Sequence, residues 1–297
     1  MHYQPSILRK ILAGPQLAAA GVIAIALATV SIAGAQTCPP LPAGAVYPPS
    51  GTMVAWYPFD ETVSPSIDLA TGSTVAWGGT PSLMTGEVKG ALNFTNGYLD
   101  TPSSIITNFG PAGSTSCPNF GDYSTCEGNF SIDAWINLAA LPNGNVNVIV
   151  DKRTSGDIGY EFYIYGHPPD DGGNPWMGLQ LGDKAHGYTN YGTAGLPTLT
   201  TPLNVWHHVA VTVQREGSPG ALITFYLDGA SAGTAVPTQT GSLENTEPMR
   251  IGEQGAPNGG GSNFIGGLDE LQLFNRVLTA TEVKNIFTAG PAGQCKP

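Results

Sequence analysis

The chain has 297 residues, with 22 Asp and Glu against 11 Lys and Arg, for a formal net charge of −11. That balance repels phosphate backbones and anionic lipid, so it excludes nucleic acid and membrane surfaces as partners. Only 11% of the residues are charged, while 40 are Gly and 25 are Pro, a composition of short strands and polar connections with no coiled coil or low-complexity tail.

At the N-terminus, Arg9 and Lys10 precede an apolar stretch over residues 17–33, which ends in Ala33-Gly34-Ala35. A basic start, an apolar centre and a small-x-small end predict an export signal over residues 1–35, cleaved after Ala35. Retention as a membrane anchor is the alternative, because the run approaches spanning length. Cys38 follows Gln36-Thr37, not the small residues that lipid attachment needs. The expected location is therefore secreted, periplasmic or at the cell surface, with no membrane contact after cleavage.

Export gives the four cysteines a disulfide-forming environment, and four cysteines allow three pairings. The favoured pairing joins Cys117 to Cys126 across the short segment CPNFGDYSTC, and Cys38 to Cys295 across the whole domain. In the chain-entropy model the long crosslink contributes about 4–5 kcal/mol. No CxxC and no neighbouring His cluster support a metal site as the alternative.

Residues 36–51 form a Pro-rich leader, and residues 52–297 form one domain. A first strand over 52–61 closes at Pro58, and a short strand is expected around Val75. Residues 89–100 read as a hairpin about Asn96-Gly97. Residues 101–128 form a long loop. Over 129–138, Phe130, Ile132, Ala134 and Ile136 share one face, and Ser131, Asp133, Trp135 and Asn137 share the other, the period of an antiparallel strand. Further strands are predicted over 146–151, 159–165, 177–182, 206–214, 221–227, 249–252 and 266–274. One helix follows: Thr279 caps it, Glu282 completes a capping box, and Gly290-Pro291 stops it.

Several segments carry a family resemblance in their order. AWYPFDE, GALNFTNGYLDTP, NFSIDAWINL, WHHVAVTV, FYLDG and GGLDELQLFNRVLTATEVKNI resemble the successive motifs of LamG-like jelly-roll domains, a branch of the concanavalin A-like lectin/glucanase superfamily. The resemblance spans residues 53–289. It implies an all-β, two-sheet antiparallel jelly-roll sandwich, one sheet concave and one convex, with the one short C-terminal helix. It also implies that the first and last strands are neighbours, in keeping with the Cys38–Cys295 pairing. Carbohydrate binding, cell adhesion and ligand-free structural roles all occur in such a family, so fold alone does not choose among them.

Candidate sites follow from chemistry. His207 and His208 are adjacent in a strand, point to opposite faces, and read as structural. Trp56, Trp135 and Trp206 read as packing. Glycoside hydrolysis needs two close carboxyl groups, and no E-x-D-x-E triplet exists. Asp133 and Glu161 are isolated, and Asp269-Glu270 is expected to diverge to opposite faces. G-x-S-x-G, H-E-x-x-H and P-loop motifs are absent too, so the chain reads as non-enzymatic. Calcium, bound structurally, is the one cofactor expected, and Asp60, Asp68 and Asp269 are its candidate ligands if the first and last strands adjoin. Ligand contact is expected in the loops around Trp176. Trp176, Tyr188 and Tyr191 offer aromatic faces to sugar C–H surfaces, and Asp170, Asp171, Asn174, His186 and Asn190 can fix hydroxyls. The expected function is a secreted glycan-binding or adhesion module whose partner is a glycan or a surface protein. A structural surface protein without sugar specificity and a diverged polysaccharide-active enzyme are the alternatives.

Overall fold

The computed structural model describes residues 40–49, 53–101, 108–109, 128–141, 145–166, 174–196, 199, 203–215, 220–255 and 262–296. The early strands are β1 (Met53–Tyr57), β2 (Ser66–Ile67), β3 (Thr74–Val75), β4 (Trp77–Gly79), β5 (Ser82–Thr85), β6 (Gly90–Asn93) and β7 (Gly97–Asp100). The central strands are β8 (Phe130–Leu138), β9 (Val146–Arg153), β10 (Gly159–Tyr165), β11 (Trp176–Asp183) and β12 (Gly187–Gly192). There follow β13 (Trp206–Gln214), β14 (Leu222–Leu227), β15 (Ala230–Ala235), β16 (Arg250–Ile251), β17 (Gly266–Phe274) and helix α1 (Ala280–Ala289).

Fifteen of these strands form two antiparallel sheets, and β2 and β3 pair only with each other. One runs β15-β14-β13-β8-β17-β6-β5, with β1 also paired to β17; the other runs β12-β11-β10-β9-β16-β7-β4. Their facing sides hold a single apolar core. Phe130, Ile132, Ala134 and Ile136 of β8 meet Tyr160, Phe162 and Ile164 of β10 and Met177, Leu179 and Leu181 of β11 there. The alternation read in the sequence thus sorts residues correctly. Yet all nine residues of β8 are buried. Helix α1 is the reason: Val283 and Ile286 pack with Ala210, Tyr226, Phe274 and Leu278 on the outer side of the first sheet, and Phe287 lies 5.8 Å from the Trp135 ring. The helix carries the expected capping box between Thr279 and Glu282, and Gly290, at φ 49°, ends it.

First and last strands do adjoin, with Ala55 opposite Leu273 and Trp56 opposite Gln272. The leader runs beside the C-terminus, where Val46 N–H donates to Gly293 O at 3.2 Å and Cys295 N–H donates to Val46 O at 2.9 Å. Cys295 is disulfide-bonded. Cys38, Cys117 and Cys126 lie outside the described residues, as does the N-terminal apolar segment. No helix among the described residues is long and apolar enough to cross a membrane.

Two expectations change. Residues 89–100 are not a hairpin: β6 pairs with β5 and β17 in the first sheet, whereas β7 pairs with β4 and β16 in the second. Asn96-Gly97 is the corner where the chain crosses between sheets, with Phe94, fully buried, filling the space beneath it. Residues 187–192 are not loop but the edge strand β12, paired to β11 throughout.

Candidate functional site

The second sheet packs one side into the core and turns the other outward. The outward side of β9–β12 is the candidate site. Register fixes which residues stand on it. Tyr165 lies opposite Val146 and Trp176, Tyr163 opposite Val148 and Gly178, and Glu161 opposite Asp151 and Gln180. Gln180 in turn lies opposite Asn190. Ile149 is the extra residue of a bulge at Phe162/Tyr163, where the outward parity of β9 switches from Val146 and Val148 to Asp151 and Arg153. Val146, Glu161, Tyr163, Tyr165, Trp176, Gln180 and Asn190 line an open depression of about 420 Å³ together with Arg153 and Gln254.

Aromatic rings are laid across the strands because glycines leave room. A Cβ at Gly178 would fall inside the Tyr163 ring, and one at Gly192 would lie 2.6 Å from the Trp176 ring. Tyr165 and Trp176 sit 5.0 Å apart at an interplanar angle of 31°, and Tyr163 meets Trp176 edge-on at 5.7 Å. Tyr163 is buried, while Tyr165 and Trp176 are half-exposed. The result is a platform of amphipathic rings beside amide and hydroxyl groups. Tyr163 OH donates to Asn190 Oδ1 at 3.5 Å.

The floor is a charge network centred on Arg153. Its Nε donates to Asp151 Oδ1 at 2.7 Å, and its Nη1 donates to Gln180 Oε1 at 2.5 Å. Nη2 lies 2.9 Å from Glu161 Oε1. Gln180 Nε2 passes the network on to Asp157 Oδ1 at 3.2 Å, and Gly255 N–H donates to Asp151 Oδ2 at 2.8 Å. Burial pulls the guanidinium pKa down, but the hydrogen bond to Asp151 and the charges of Glu161, Asp151 and Asp157 outweigh it and raise it. Burial pushes Glu161 up; Arg153 opposes this, while Asp151 and Asp157 reinforce it.

Of the sequence-predicted ligand residues, Trp176 and Asn190 line this depression. Tyr188 stands on the same face of the edge strand and is 55% exposed. Tyr191 is turned the other way: it is 8% exposed in the core, and its hydroxyl donates to Gln239 Oε1 at 2.5 Å. A strand sends neighbours to opposite faces, so Asn190 and Tyr191 cannot share one site. His186 closes the β11–β12 turn through Asp183, at 2.8 Å. Asn174 is exposed just before β11 and packs near Gly195. Asp170 and Asp171 lie outside the described residues. Sequence reasoning missed Arg153, Asp151, Gln180, Tyr163 and Tyr165. Part of the signal was present: Glu161, Tyr163 and Tyr165 share one parity of β10 against the core residues Tyr160, Phe162 and Ile164, and Trp176 and Gln180 share one parity of β11 against Met177, Leu179 and Leu181, whereas the bulge at Ile149 hides any such pattern in β9.

The proposed calcium ligands are committed elsewhere. Asp68 accepts from Trp56 N–H and Ala70 N–H at 2.8 and 2.9 Å and from Thr71 Oγ1 at 2.7 Å. Asp60 accepts from Gly90 N–H at 3.0 Å and pairs with Lys296 Nζ at 2.6 Å. Asp269 accepts from Val88 N–H at 2.8 Å. Among the described residues no group of three His, Cys, Asp or Glu side chains is placed to hold a metal. Asp269 and Glu270 do not diverge as strict alternation predicts. A bulge spans this point and Glu270 takes φ 51°, so Leu268 and Leu271, three residues apart, both join the core, and the two carboxyls interact with each other. Glu270 then accepts from Trp56 Nε1 at 2.6 Å and meets Lys296 Nζ at 2.5 Å. His207 pairs with Asp228 at 2.9 Å, and His208 is buried against Asp133 at 3.5 Å, on opposite sides of β13.

Comparison with known proteins gives a family and a set of folds. The laminin G family model described as the concanavalin A-like lectin/glucanases superfamily matches residues 112–284. No curated protein matches the sequence. Among solved structures, the chain is similar to the binding domain of Paraclostridial Mosquitocidal Protein 1, with a TM-score of 0.54 and 15% identity over 80% of this chain and 52% of that one. It is also similar to domain 4 of a GH43 extracellular arabinanase from Geobacillus stearothermophilus in complex with arabinotriose (TM-score 0.53, 14% identity, 79% of this chain and 97% of that one). A third is the binding domain of botulinum neurotoxin DC in complex with rat synaptotagmin II (TM-score 0.52, 13% identity, 80% and 51%). The chain spans about half the length of the two toxin domains and nearly all of the arabinanase domain.

Proposed function

We propose a function from one premise: the chain belongs to the concanavalin A-like lectin/glucanases superfamily. The proposed function is carbohydrate binding without catalysis, on the outward face of β9–β12. The observation that carries it is the platform of Tyr163, Tyr165 and Trp176, two of its rings fitted over glycines, beside Gln180 and Asn190. Sugars present alternating C–H patches and hydroxyls, and this face presents amphipathic rings and amides in the same proximity. The arabinanase domain, solved with arabinotriose, supports the reading through a shared fold. Against catalysis, Asp151 and Glu161 are both tied to Arg153, so neither is left as an unpaired acid or nucleophile. Export through the N-terminal segment is part of the same proposal. N-terminal sequencing of the released protein should begin at Gln36.

Glycan-array screening followed by calorimetry tests the binding. Trp176→Ala should weaken the best glycan by about tenfold or more, the order of a central aromatic anchor, about 2 kcal/mol. An array on which no glycan binds, or an affinity that Trp176→Ala leaves unchanged, removes this reading.

A further inference from the structure

The charge arrangement on this face narrows the class of glycan, an inference that rests on the glycan-binding reading above. Arg153 is the one cation lining the depression among the described residues, and its side chain is 3% exposed. A guanidinium has five N–H donors in a fixed fork. Nε faces Asp151 Oδ1 at 2.7 Å; Nη2 faces Asp151 Oδ2 at 3.2 Å and Glu161 Oε1 at 2.9 Å; Nη1 faces Gln180 Oε1 at 2.5 Å and Asp157 Oδ1 at 3.7 Å. Asp151 and Gln180 thus take hydrogen bonds from all three guanidinium nitrogens, and Glu161 and Asp157 stand beside them at ion-pair distance.

The next cation across the same sheet, Arg250, is committed in the same way. Asp100 receives Nε and Nη2 at 2.7 and 2.6 Å, Glu253 receives Nη1 at 2.9 Å, and the guanidinium lies 4.0 Å over the Tyr98 ring. The two arginines are thus ringed by the carboxylates of Asp151, Asp157, Glu161, Asp100 and Glu253. Recognition of a sugar carboxylate or sulfate needs an available cation to replace lost hydration. Here such a group would meet excess negative charge at close range and a guanidinium it can reach only by displacing one of these partners. Hydroxyl recognition meets no such barrier, because Asn190 and Gln254 offer both donors and acceptors at the border.

We propose that this face admits uncharged glycans and rejects glycans bearing carboxylate or sulfate groups. Arg153 is a specificity-determining residue through its neutralised state; Asp151 pairs with it directly, and Glu161 and Asp157 add the excess negative charge.

The test compares three probe sets on the full mature chain: neutral arabino-, xylo-, manno- and galacto-oligosaccharides, their sialylated or sulfated counterparts, and cationic chitosan oligomers. Neutral ligands should bind with an affinity that changes less than about twofold between low and high salt, as expected where no charges pair. Anionic counterparts should bind at least about tenfold more weakly. The double variant Asp157→Asn/Glu161→Gln, which keeps side-chain shape and is checked for folding by near-UV circular dichroism, should raise affinity for the anionic set by several-fold relative to the neutral set. The single variant Asp157→Asn, at an exposed turn, should move it in the same direction if the double variant fails to fold. An anionic glycan that binds as tightly as its neutral counterpart, and loses binding with Trp176→Ala, overturns the charge inference while leaving the glycan site standing. Chitosan oligomers should bind at least as tightly as the neutral set and lose affinity with salt, because the surrounding carboxylates attract a cation; binding of chitosan weaker than that of the neutral set overturns the charge inference as well. Failure of every glycan, or insensitivity of all of them to Trp176→Ala, instead removes the site and this inference together.

Discussion

Two glycines do more to define the candidate site than any charged residue. Gly178 and Gly192 lie opposite one another on β11 and β12. Their missing side chains let the Tyr163 and Trp176 rings lie across the sheet instead of standing off it. Neither glycine is among those with positive φ, so their role is space and not backbone freedom. This argument predicts a separation of fold from function. In Gly178→Ala the new Cβ displaces the Tyr163 ring, which costs about 1–3 kcal/mol of stability by overpacking. The chain still folds, but its glycan affinity falls several-fold, as calorimetry beside a thermal melt would show. An affinity equal to wild type would mean that ring placement is not what the ligand reads. Such a role was hard to see in the sequence, because a glycine in a strand reads as weakness until the facing residue is known. Trp176 and Asn190 could be picked from residue type alone. Arg153 and Glu161 could not, since their meaning comes from facing each other across two strands, and register is a property of pairing.

At the scale of elements, the helix shows what local signals can specify. Thr279, Glu282 and Gly290 carry the start and stop of α1 in chemistry that acts within one turn. Thr279 Oγ1 accepts from Glu282 N–H at 3.2 Å, while Glu282 Oε2 accepts from Thr279 N–H at 2.8 Å. Arg276 holds the same carboxylate at 2.8 and 2.9 Å. Thr279→Ala should therefore cost about 1 kcal/mol, read as a lower urea midpoint with an unchanged slope. A loss well below that would mean that Arg276 and packing hold the helix without the cap. Long, alternating strands were legible for the same local reason. The β6–β7 segment was not, because a turn signal marks where the chain reverses but not which sheet receives the next strand. The edge strand β12 was missed because Gly187, Tyr188 and Asn190 are exposed, and one-sided burial at an edge leaves a weak pattern. The Asp269-Glu270 bulge broke the alternation rule itself, where β17 changes partner from β6 to β1.

For the whole molecule, that bulge ties the end of the first strand to the C-terminal segment and sets a pH dependence. Lys296 bridges Glu270 and Asp60 next to the Val46–Gln294 contact between leader and C-terminus. Burial pushes Asp269 up, Glu270 and Asp60 add to this, and the Val88 N–H and Lys296 only partly oppose it, so its carboxyl sits at about 9 against an ordinary 3.8. Between those two values the folded chain keeps a proton that the unfolded chain has released. Stability therefore depends on pH with a negative sign there: each rise in pH favours the unfolded state, and the effect levels off once the folded carboxyl also ionises. Asp183 and Glu282 work in the opposite sense. Their carboxyls are held low by His186 and Arg276, so the stability they contribute is lost only as pH falls below the ordinary carboxylate range. A comparison within one window isolates Asp269. Asp269→Asn keeps an oxygen to accept from Val88 N–H and carries no titrating proton. The melting temperature of wild type should fall more steeply than that of Asp269→Asn from about pH 5 to about pH 9, with the variant gaining on wild type throughout. Parallel profiles across that range would show that Asp269 is ionised in the folded chain and that Lys296, shared with Glu270 and Asp60, compensates its charge.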